Sequence, residues 1–286
     1  MHWTDRRKRF RAILDGKSCV HPGSVYDPIS ARIAEDLGFE LGMFAGSTAS
    51  LTVLGAPDLI VLTLSEFAGQ AYRINRAGNL PLMVDADHGY GNALNVKRTV
   101  EELETAGIAG MSIEDTDLPT PHGTTKPRLT TIAEGVGKMK AAIAGRQDPL
   151  LCIAGRTSAV QISGLDDAIA RARAYEAVGV DALFMVGVRT RAELEAISAA
   201  TTLPLILGGG TPELSDRDYL ASRRVRIALQ GHQPFAAAVK AVHDTLKALR
   251  DGVPPAQLTG IADAEMMKRV TRDADYTKWT KEFLGG

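Results

Sequence analysis

The sequence predicts an α/β protein built as a (β/α)8 TIM-type barrel with extra C-terminal helices. Short apolar runs alternate with amphipathic segments, and this unit occurs eight times before residue 250. A glycine often separates an amphipathic segment from the next apolar run, as at Gly78, Gly107 and Gly179. Regular alternation of strands and helices is typical of a parallel sheet with crossover helices, and eight units in about 250 residues fit a closed barrel.

An open, doubly wound sheet is the alternative arrangement of the same units. That fold would place a glycine-rich turn of the G-x-G-x-x-G type after its first strand. The turn after Val25 contains no such motif, so the closed barrel is favoured.

The chain begins with a segment of helical periodicity over residues 6–14, followed by a predicted first strand and turn over 20–27. Asp27 then precedes Pro28, a pair typical of a helix N-cap with proline at the first helical position. This helix is expected to end before Gly38, because glycine favours the left-handed conformation that terminates helices.

The later elements repeat the same pattern. We predict the other strands at residues 41–45, 82–84, 110–113, 150–154, 182–186, 203–207 and 225–229. We predict the helices between them at residues 64–76, 92–106, 132–144, 165–178, 191–199, 211–221 and 235–250. The barrel domain would thus cover residues 1–250, and a helical extension would cover 251–286. Its apolar residues must be covered by the barrel or, as we expect, by a neighbouring subunit.

Composition excludes several classes of function. The chain has 286 residues, and its net charge of −1 gives no basic excess for binding nucleic acid or an anionic membrane. No apolar run approaches the ~20 residues of a membrane span, and no apolar region follows the basic N-terminus as in a signal peptide. Cys19 and Cys152 lie far apart, which is expected of reduced thiols in a cytoplasmic protein.

Acidic residues follow two consecutive predicted strands. Asp85 and Asp87 would point to the same side of strand 3, and Glu114 follows strand 4. A barrel collects its catalytic groups at these strand ends, and oxygen ligands there suit a hard cation such as Mg²⁺. Arg156, after strand 5, would form an anion site beside the cation. Solvated strand ends, or a structural ion pair between Glu114 and Arg156, are the ordinary alternatives.

Further polar residues stand at other predicted strand ends. Tyr26 follows strand 1, Gly46 and Ser47 follow strand 2, and His232 follows strand 8. Asp58 lies in the segment after strand 2 and is a further candidate. Ser47 and Asp58 could instead cap turns or helices, and His232 could be an ordinary loop histidine.

Five motifs carry a family resemblance: Gly46-Ser47, Pro57-Asp58, Asp85-Ala86-Asp87-His88-Gly89-Tyr90-Gly91, Ser112-Ile113-Glu114-Asp115 and Gly155-Arg156-Thr157. Together they resemble the isocitrate lyase/phosphoenolpyruvate mutase superfamily from about Phe10 to past His232. The resemblance implies Mg²⁺, or Mn²⁺ in its place, bound directly by Asp85. Asp87 and Glu114 would act largely through waters on the metal.

The resemblance also implies an anionic α-keto acid substrate and an enolate intermediate whose charge a divalent ion stabilises. Gly46, Ser47 and Arg156 would hold the end of the substrate that chelates the metal. His232 would contact the substrate near its C4 carboxylate and help to return a proton.

One difference within the superfamily selects a branch. The lyases carry a mobile loop after strand 4 with a cysteine that acts as acid or base, whereas residues 118–126 contain no cysteine. Cleavage of the lyase type is therefore disfavoured. The chain resembles the bacterial oxaloacetate decarboxylase branch, which shares the run Asp85-Ala86-Asp87-His88-Gly89-Tyr90-Gly91-Asn92 and a turn similar to Gln230-Gly231-His232. This resemblance implies a Mg²⁺-dependent carboxy-lyase that forms pyruvate and CO₂. A methylisocitrate lyase-like enzyme, a phosphonopyruvate-type enzyme and a catalytically silent binding protein stay open as alternatives. A homodimer or homotetramer is expected.

Overall fold

The structure is a computed structural model that describes residues 3–285. The chain divides into two compact units, Met1–Gly231 and His232–Gly286. This division lies ahead of the boundary predicted after residue 250. Within the described residues, no helix is long and apolar enough to cross a membrane.

The first unit contains the sheet. Its strands are β1 (Gly23–Ser24), β2 (Gly42–Ala45), β3 (Leu82–Asp85), β4 (Gly110–Glu114), β5 (Cys152–Thr157), β6 (Ala182–Val186), β7 (Leu205–Gly208) and β8 (Val225–Ala228). Its α-helices are α1 (Thr4–Asp15), α2 (Pro28–Asp36), α3 (Gly46–Ala49), α4 (Leu64–Asn75), α5 (Ala93–Thr105), α6 (Ile132–Gly145), α7 (Ala159–Ile162), α8 (Leu165–Val178), α9 (Arg191–Ala200) and α10 (Arg217–Ser222).

The second unit is helical. It contains α11 (Gln233–Arg250), α12 (Ala264–Thr271) and α13 (Asp273–Leu284), together with a short 3₁₀ helix, Pro255–Gln257. Arg272 adopts a left-handed conformation with φ 61°, which separates the last two helices.

Among residues 3–285, the eight strands form one parallel sheet in chain order. Val20, just ahead of β1, closes this sheet because it pairs with Ile227 of β8. Its N–H donates to the Arg226 carbonyl at 2.9 Å, and its own carbonyl accepts from the Ala228 N–H at 3.0 Å. The predicted (β/α)8 barrel is thereby confirmed.

Alternating strand residues bury two separate apolar layers. One layer packs between strands and helices, and it includes Val84, Ile113, Leu183, Tyr175 and Leu103. The other fills the barrel interior, and it includes Met43, Met83, Ala154, Phe184, Ile206 and Ile227 together with Phe10 and Leu14 of α1. The Phe10 ring packs on Gly110, where a Cβ would lie 2.6 Å from it. Helix α1 thus covers the end of the barrel at which β4 begins, and the opposite end carries the polar residues.

The observed elements differ from the predicted ones mainly at their ends. Strand β5 continues to Thr157, so Arg156 lies within the strand rather than after it. The helix predicted over 211–221 is instead a 3₁₀ turn, Pro212–Leu214, followed by α10. The Asp216 side chain accepts N–H bonds from Asp218 and Tyr219, and this N-cap starts a new helix. The sequence pattern also missed α3 and the π-helix Ser50–Leu54, directly after β2.

Candidate active site

The pairing register places polar side chains side by side inside the barrel. Asp85 pairs with Ser112, and Glu114, two residues further along β4, pairs with Arg156. Because residues two apart on a strand share a face, Ser112 and Glu114 point the same way. The Ser112 hydroxyl donates to Asp85 Oδ1 at 3.0 Å, which fixes this face as the one that also carries Asp85.

Arg156 is the cationic member of a buried cluster whose other charged members are Asp85, Asp87 and Glu114. Its Nη1 donates to Asp85 Oδ2 and lies 3.7 Å from Glu114 Oε1. The guanidinium carbon lies 5.4 Å from the centroid of the Phe184 ring. Its Nε is buried and has no hydrogen-bond acceptor among residues 3–285. Burial lowers the pKa of Arg156, but Asp85 and Glu114 outweigh that effect and raise it, so the side chain stays charged.

The position of the Asp87 side chain is set by a turn and not by the alternation of side chains along a strand. Strand β3 ends at Asp85, and Asp87 adopts a positive φ of 47°. Its carbonyl accepts from the Glu114 N–H at 2.8 Å, which ties the turn to β4. The Asp87 carboxylate packs against Gly46, where a Cβ would lie 2.6 Å from Oδ1. Asp87 was expected to converge with Asp85 through strand alternation. It does lie close enough to interact with Asp85, but it reaches that position through a turn, and Gly46 provides the space that its carboxylate occupies.

The cluster contains more negative than positive charge. Asp85, Asp87 and Glu114 are all at most 9% exposed, and Arg156 is the cation paired with two of them. Burial, followed by the charges of Asp85 and Glu114, raises the pKa of Asp87 well above its usual range. Burial likewise raises the pKa of Glu114, although Arg156 opposes this. The site therefore favours additional positive charge.

The other candidate residues predicted from the sequence lie on separate elements of the chain. Ser47 is the second residue of α3, immediately after β2. Tyr26 follows β1, and its carbonyl accepts from the Gln70 side chain at 2.8 Å. Asp58 is exposed, yet its charge contributes to the raised pKa of Asp87. His232 is the N-cap residue of α11 and the first residue of the second unit.

Asp115 follows Glu114 but does not belong to the cluster. Its Oδ2 accepts from Arg171 Nη1 at 2.9 Å and from the Tyr175 hydroxyl at 2.5 Å. Asp115 is fully buried, so it anchors the end of β4 to helix α8. Neighbouring residues of a strand point to opposite faces, which explains why Glu114 and Asp115 have different environments.

A cavity of about 350 Å³ adjoins Glu114 beneath the loop that follows β4. Most of the residues that line it carry a hydroxyl, an amide or a cationic group. The lining consists of Glu114, Thr116, Asp117, Leu118, Thr120, Thr124, Thr125, Lys126, Pro127, Arg128, Ser158, Gln161 and Ile162. Arg128 donates to Asp117 at 2.6 Å, so part of the cationic charge is already paired.

Some residues of the site were missed from the sequence. Ser112 and Thr116 donate to Asp85 and Glu114 respectively, and Phe184 lies beside Arg156. The alternation in Ser112-Ile113-Glu114 would have indicated Ser112. Nothing in the sequence indicates Phe184, because that contact depends on the pairing of β5 with β6.

Within residues 3–285, no three His, Cys, Asp or Glu side chains are arranged to hold a metal ion as they stand. Arg156 Nη1 is paired with Asp85 and lies 3.7 Å from Glu114, two of the carboxylates that would be available to hold such an ion. The charges of Asp85, Asp87 and Glu114 nevertheless interact with one another.

Comparisons with known proteins found relatives that match this chain over its whole length. An oxaloacetate decarboxylase of Bradyrhizobium diazoefficiens is 62% identical over 285 residues, covering 100% of this chain and 99% of the relative. One of Rhodopseudomonas palustris strain BisB18 is 61% identical with the same coverage.

Two solved structures share the fold. An oxaloacetate acetylhydrolase in complex with 3,3-difluorooxalacetate matches with a TM-score of 0.85 and 27% identity, covering 99% of this chain and 98% of the other. A phosphonopyruvate hydrolase in complex with oxalate and Mg²⁺ matches with a TM-score of 0.84 and 27% identity, covering 98% and 99%. The sequence pattern of phosphoenolpyruvate phosphomutase matches residues 10–250. The chain therefore belongs to the phosphoenolpyruvate phosphomutase family, within the PEP mutase/isocitrate lyase superfamily.

Proposed function

We propose that this protein decarboxylates oxaloacetate to pyruvate and CO₂. The observation that carries the proposal is the buried cluster of three carboxylates and Arg156 in a chain 62% identical over its whole length to a named oxaloacetate decarboxylase. Such a cluster suits a small anionic keto acid together with a cation.

The donor groups fit Mg²⁺, and Mn²⁺ could replace it. Asp85, Asp87 and Glu114 offer only oxygen atoms, which hard divalent ions prefer. Mg²⁺ sites commonly use one or two carboxylates plus water and substrate rather than a closed protein cage, so the lack of a ready cage is compatible with this ion. Asp85 would bind directly once Arg156 turns toward the substrate, and Asp87 and Glu114 would bind through water.

When bound, Mg²⁺ supplies positive charge beside the keto oxygen, where negative charge develops as CO₂ leaves. The chain's own residues orient the reactants. Arg156 presents a planar guanidinium to the carboxylate of the substrate, and Ser112 holds Asp85 in place. The backbone at Gly46 and Ser47, beside Asp87, would hold the same end of the substrate. Phe184 excludes water from one side of Arg156.

Two further assignments complete the site. His232 is proposed to contact the outer end of the substrate and to assist protonation of the enolate. Tyr26 and Asp58 are proposed as supporting residues. The cavity beside Glu114 gives room for the part of the substrate that extends away from Asp85.

Cysteine chemistry of the lyase type is disfavoured. The lining of the cavity after β4 contains no cysteine. Cys19 and Cys152 are both buried, and burial raises their pKa values to about 11 and about 12. Neither thiol can therefore serve readily as an acid or base toward a substrate.

A homo-oligomer is proposed as the functional form, in the cytoplasm that suits two free thiols. Among its described residues α11 buries none, although Val239, Val242, Leu246 and Leu249 repeat at helical spacing. An apolar stripe of this kind is expected to be covered by a neighbouring subunit.

Ligand binding tests the proposal directly. Mg²⁺ with oxalate should raise the melting temperature, because ligands that bind the native state stabilise it. Oxalate alone and Mg²⁺ alone serve as controls. Absence of any shift with the pair, under conditions where the chain is folded, would favour the catalytically silent alternative.

A further inference from the structure

We propose that Lys138 is a positioning residue that, with Thr99, holds the turn carrying Asp87 in the conformation needed for the cation. The proposal rests on the function proposed above. It concerns residues of helices α5 and α6, outside the family motifs.

The turn after β3 has an unusual backbone. Asp87 and Tyr90 adopt positive φ values of 47° and 60°, although neither is glycine. Gly89 and Gly91, with φ values of 77° and 146°, complete the turn. Residues other than glycine rarely adopt positive φ values, so the surrounding structure must stabilise this backbone conformation.

Consecutive carbonyl groups of this turn accept hydrogen bonds from residues outside the turn. Lys138 Nζ donates to the His88 carbonyl at 3.0 Å. The Thr99 hydroxyl donates to the Gly89 carbonyl, also at 3.0 Å. Together with the Glu114 N–H on the Asp87 carbonyl, three successive carbonyls each accept a hydrogen bond from a different element.

Burial of the Lys138 side chain is energetically unfavourable. It is 3% exposed, and lysine is among the residues least often buried. Thr99 is completely buried. Met139 and Ala142 on the same helix bury apolar groups, so packing alone does not require a lysine here. The feature that Lys138 adds is an amino donor aimed at the turn, at 3.0 Å from the His88 carbonyl. Burial lowers the pKa of Lys138, and Glu134, followed by Glu114, opposes that effect.

The position of Asp87 depends on this arrangement. Its carboxylate packs against Gly46 in a backbone conformation with a positive φ at Asp87. Relaxation of the turn toward ordinary φ values would withdraw the carboxylate from Asp85 and Glu114. Lys138 therefore acts on the cation through the turn and does not contact the substrate.

The test compares Lys138→Met with Lys140→Met, which removes an exposed lysine from the same helix. Calorimetric titration with Mg²⁺ alone measures cation binding. Hydrogen exchange of the Gly89 and Glu114 amides measures order in the turn, because both amides donate to carbonyls of the turn. We expect Lys138→Met to weaken Mg²⁺ binding by about 10- to 100-fold, as observed when partners behind metal ligands are lost. Exchange of both amides should accelerate, and Lys140→Met should change neither quantity.

Thr99→Val provides a second variant in case Lys138→Met does not fold. It removes one hydroxyl at nearly constant volume, and it should accelerate exchange of the same two amides and weaken Mg²⁺ binding by a smaller factor. If both variants bind Mg²⁺ as the wild type does and lose only thermal stability, the positioning role is wrong. If the wild type itself binds no Mg²⁺, the proposed function fails instead, and unchanged amide exchange in the variants would then separately overturn the role of Lys138 in the turn.

Discussion

Asp85 is the residue on which the proposed site depends most. It accepts from Ser112 and from Arg156, so its carboxylate is fixed in direction before any ligand arrives. Asp85→Ala should therefore abolish most pyruvate formation at every Mg²⁺ concentration. The fold should persist because Arg156 keeps Glu114 as a partner 3.7 Å away.

Asp87→Ala and Glu114→Ala should have smaller effects. If they hold the cation through water, each should cost about 10- to 100-fold in activity, with partial recovery at high Mg²⁺ concentration. Circular dichroism checks folding of all three variants. Full activity of the wild type after exhaustive chelation would contradict the metal assignment.

Substitution of Arg156 tests whether activity requires only the positive charge at this position or also the planar shape of the guanidinium. Arg156→Lys keeps the charge but loses the planar guanidinium that faces Asp85, Glu114 and the Phe184 ring. Hydrogen bonds to charged groups contribute about 1.5–3 kcal/mol, so kcat/KM should fall by roughly 10- to 100-fold. Steady-state kinetics of Arg156→Lys beside Arg156→Ala measures this. Wild-type kinetics for the lysine variant, with an inactive alanine variant, would mean that charge alone suffices.

At the scale of elements, the strands and most helices followed from the sequence because apolar periodicity and capping residues are local signals. Asp27, for example, accepts from the Ser30 N–H as an N-cap. The register of the strands then brought Asp85, Glu114 and Arg156 together, as the strand-end argument predicted.

The features that the sequence did not predict depend on contacts between residues that are far apart in the sequence. The positive φ of Asp87 is stabilised by residues of β4, α5 and α6, which periodicity does not reveal. Asp115 directly follows Glu114 in the sequence, yet it is paired with Arg171 because it faces the helices. Strand alternation places it on the face opposite to that of Glu114, but which of the two faces points into the barrel is decided by the pairing of β4 with its neighbours.

The loop after β4 gives a prediction at this scale. Lys126 lines the cavity beside Glu114, and Arg128 is already paired with Asp117. Lys126→Met should raise the KM for oxaloacetate about tenfold at low ionic strength, because one charge-assisted contact is lost. The kcat should change little, since such a contact binds substrate and transition state alike.

Lys140→Met, on the exposed side of α6, is the matched control for this loop variant. A large fall in kcat for Lys126→Met, without a change in KM, would contradict a binding role. It would instead point to a part for this lysine in the chemical step.

For the whole molecule, the apolar stripe of α11 should decide the oligomeric state. Val242→Lys combined with Leu246→Lys places two charges on residues that are 58% and 62% exposed in the single chain. Light scattering should report a multiple of 30.5 kDa for the wild type and a smaller mass for the double variant. A wild-type protein that is monomeric at all concentrations would contradict the proposed subunit contact.

We expect this family member to decarboxylate oxaloacetate and not to carry out lyase-type cleavage with a loop cysteine. Decarboxylation releases CO₂ without a proton, whereas lyase chemistry must protonate the leaving carbanion, and the cavity after β4 offers no cysteine for that step. The comparison uses the purified protein with saturating Mg²⁺, and it quantifies pyruvate from oxaloacetate and from methylisocitrate, together with any oxalate and acetate from oxaloacetate. We expect pyruvate from oxaloacetate, with little from methylisocitrate and no oxalate. Faster pyruvate release from methylisocitrate, or conversion of oxaloacetate to oxalate and acetate, would contradict the account.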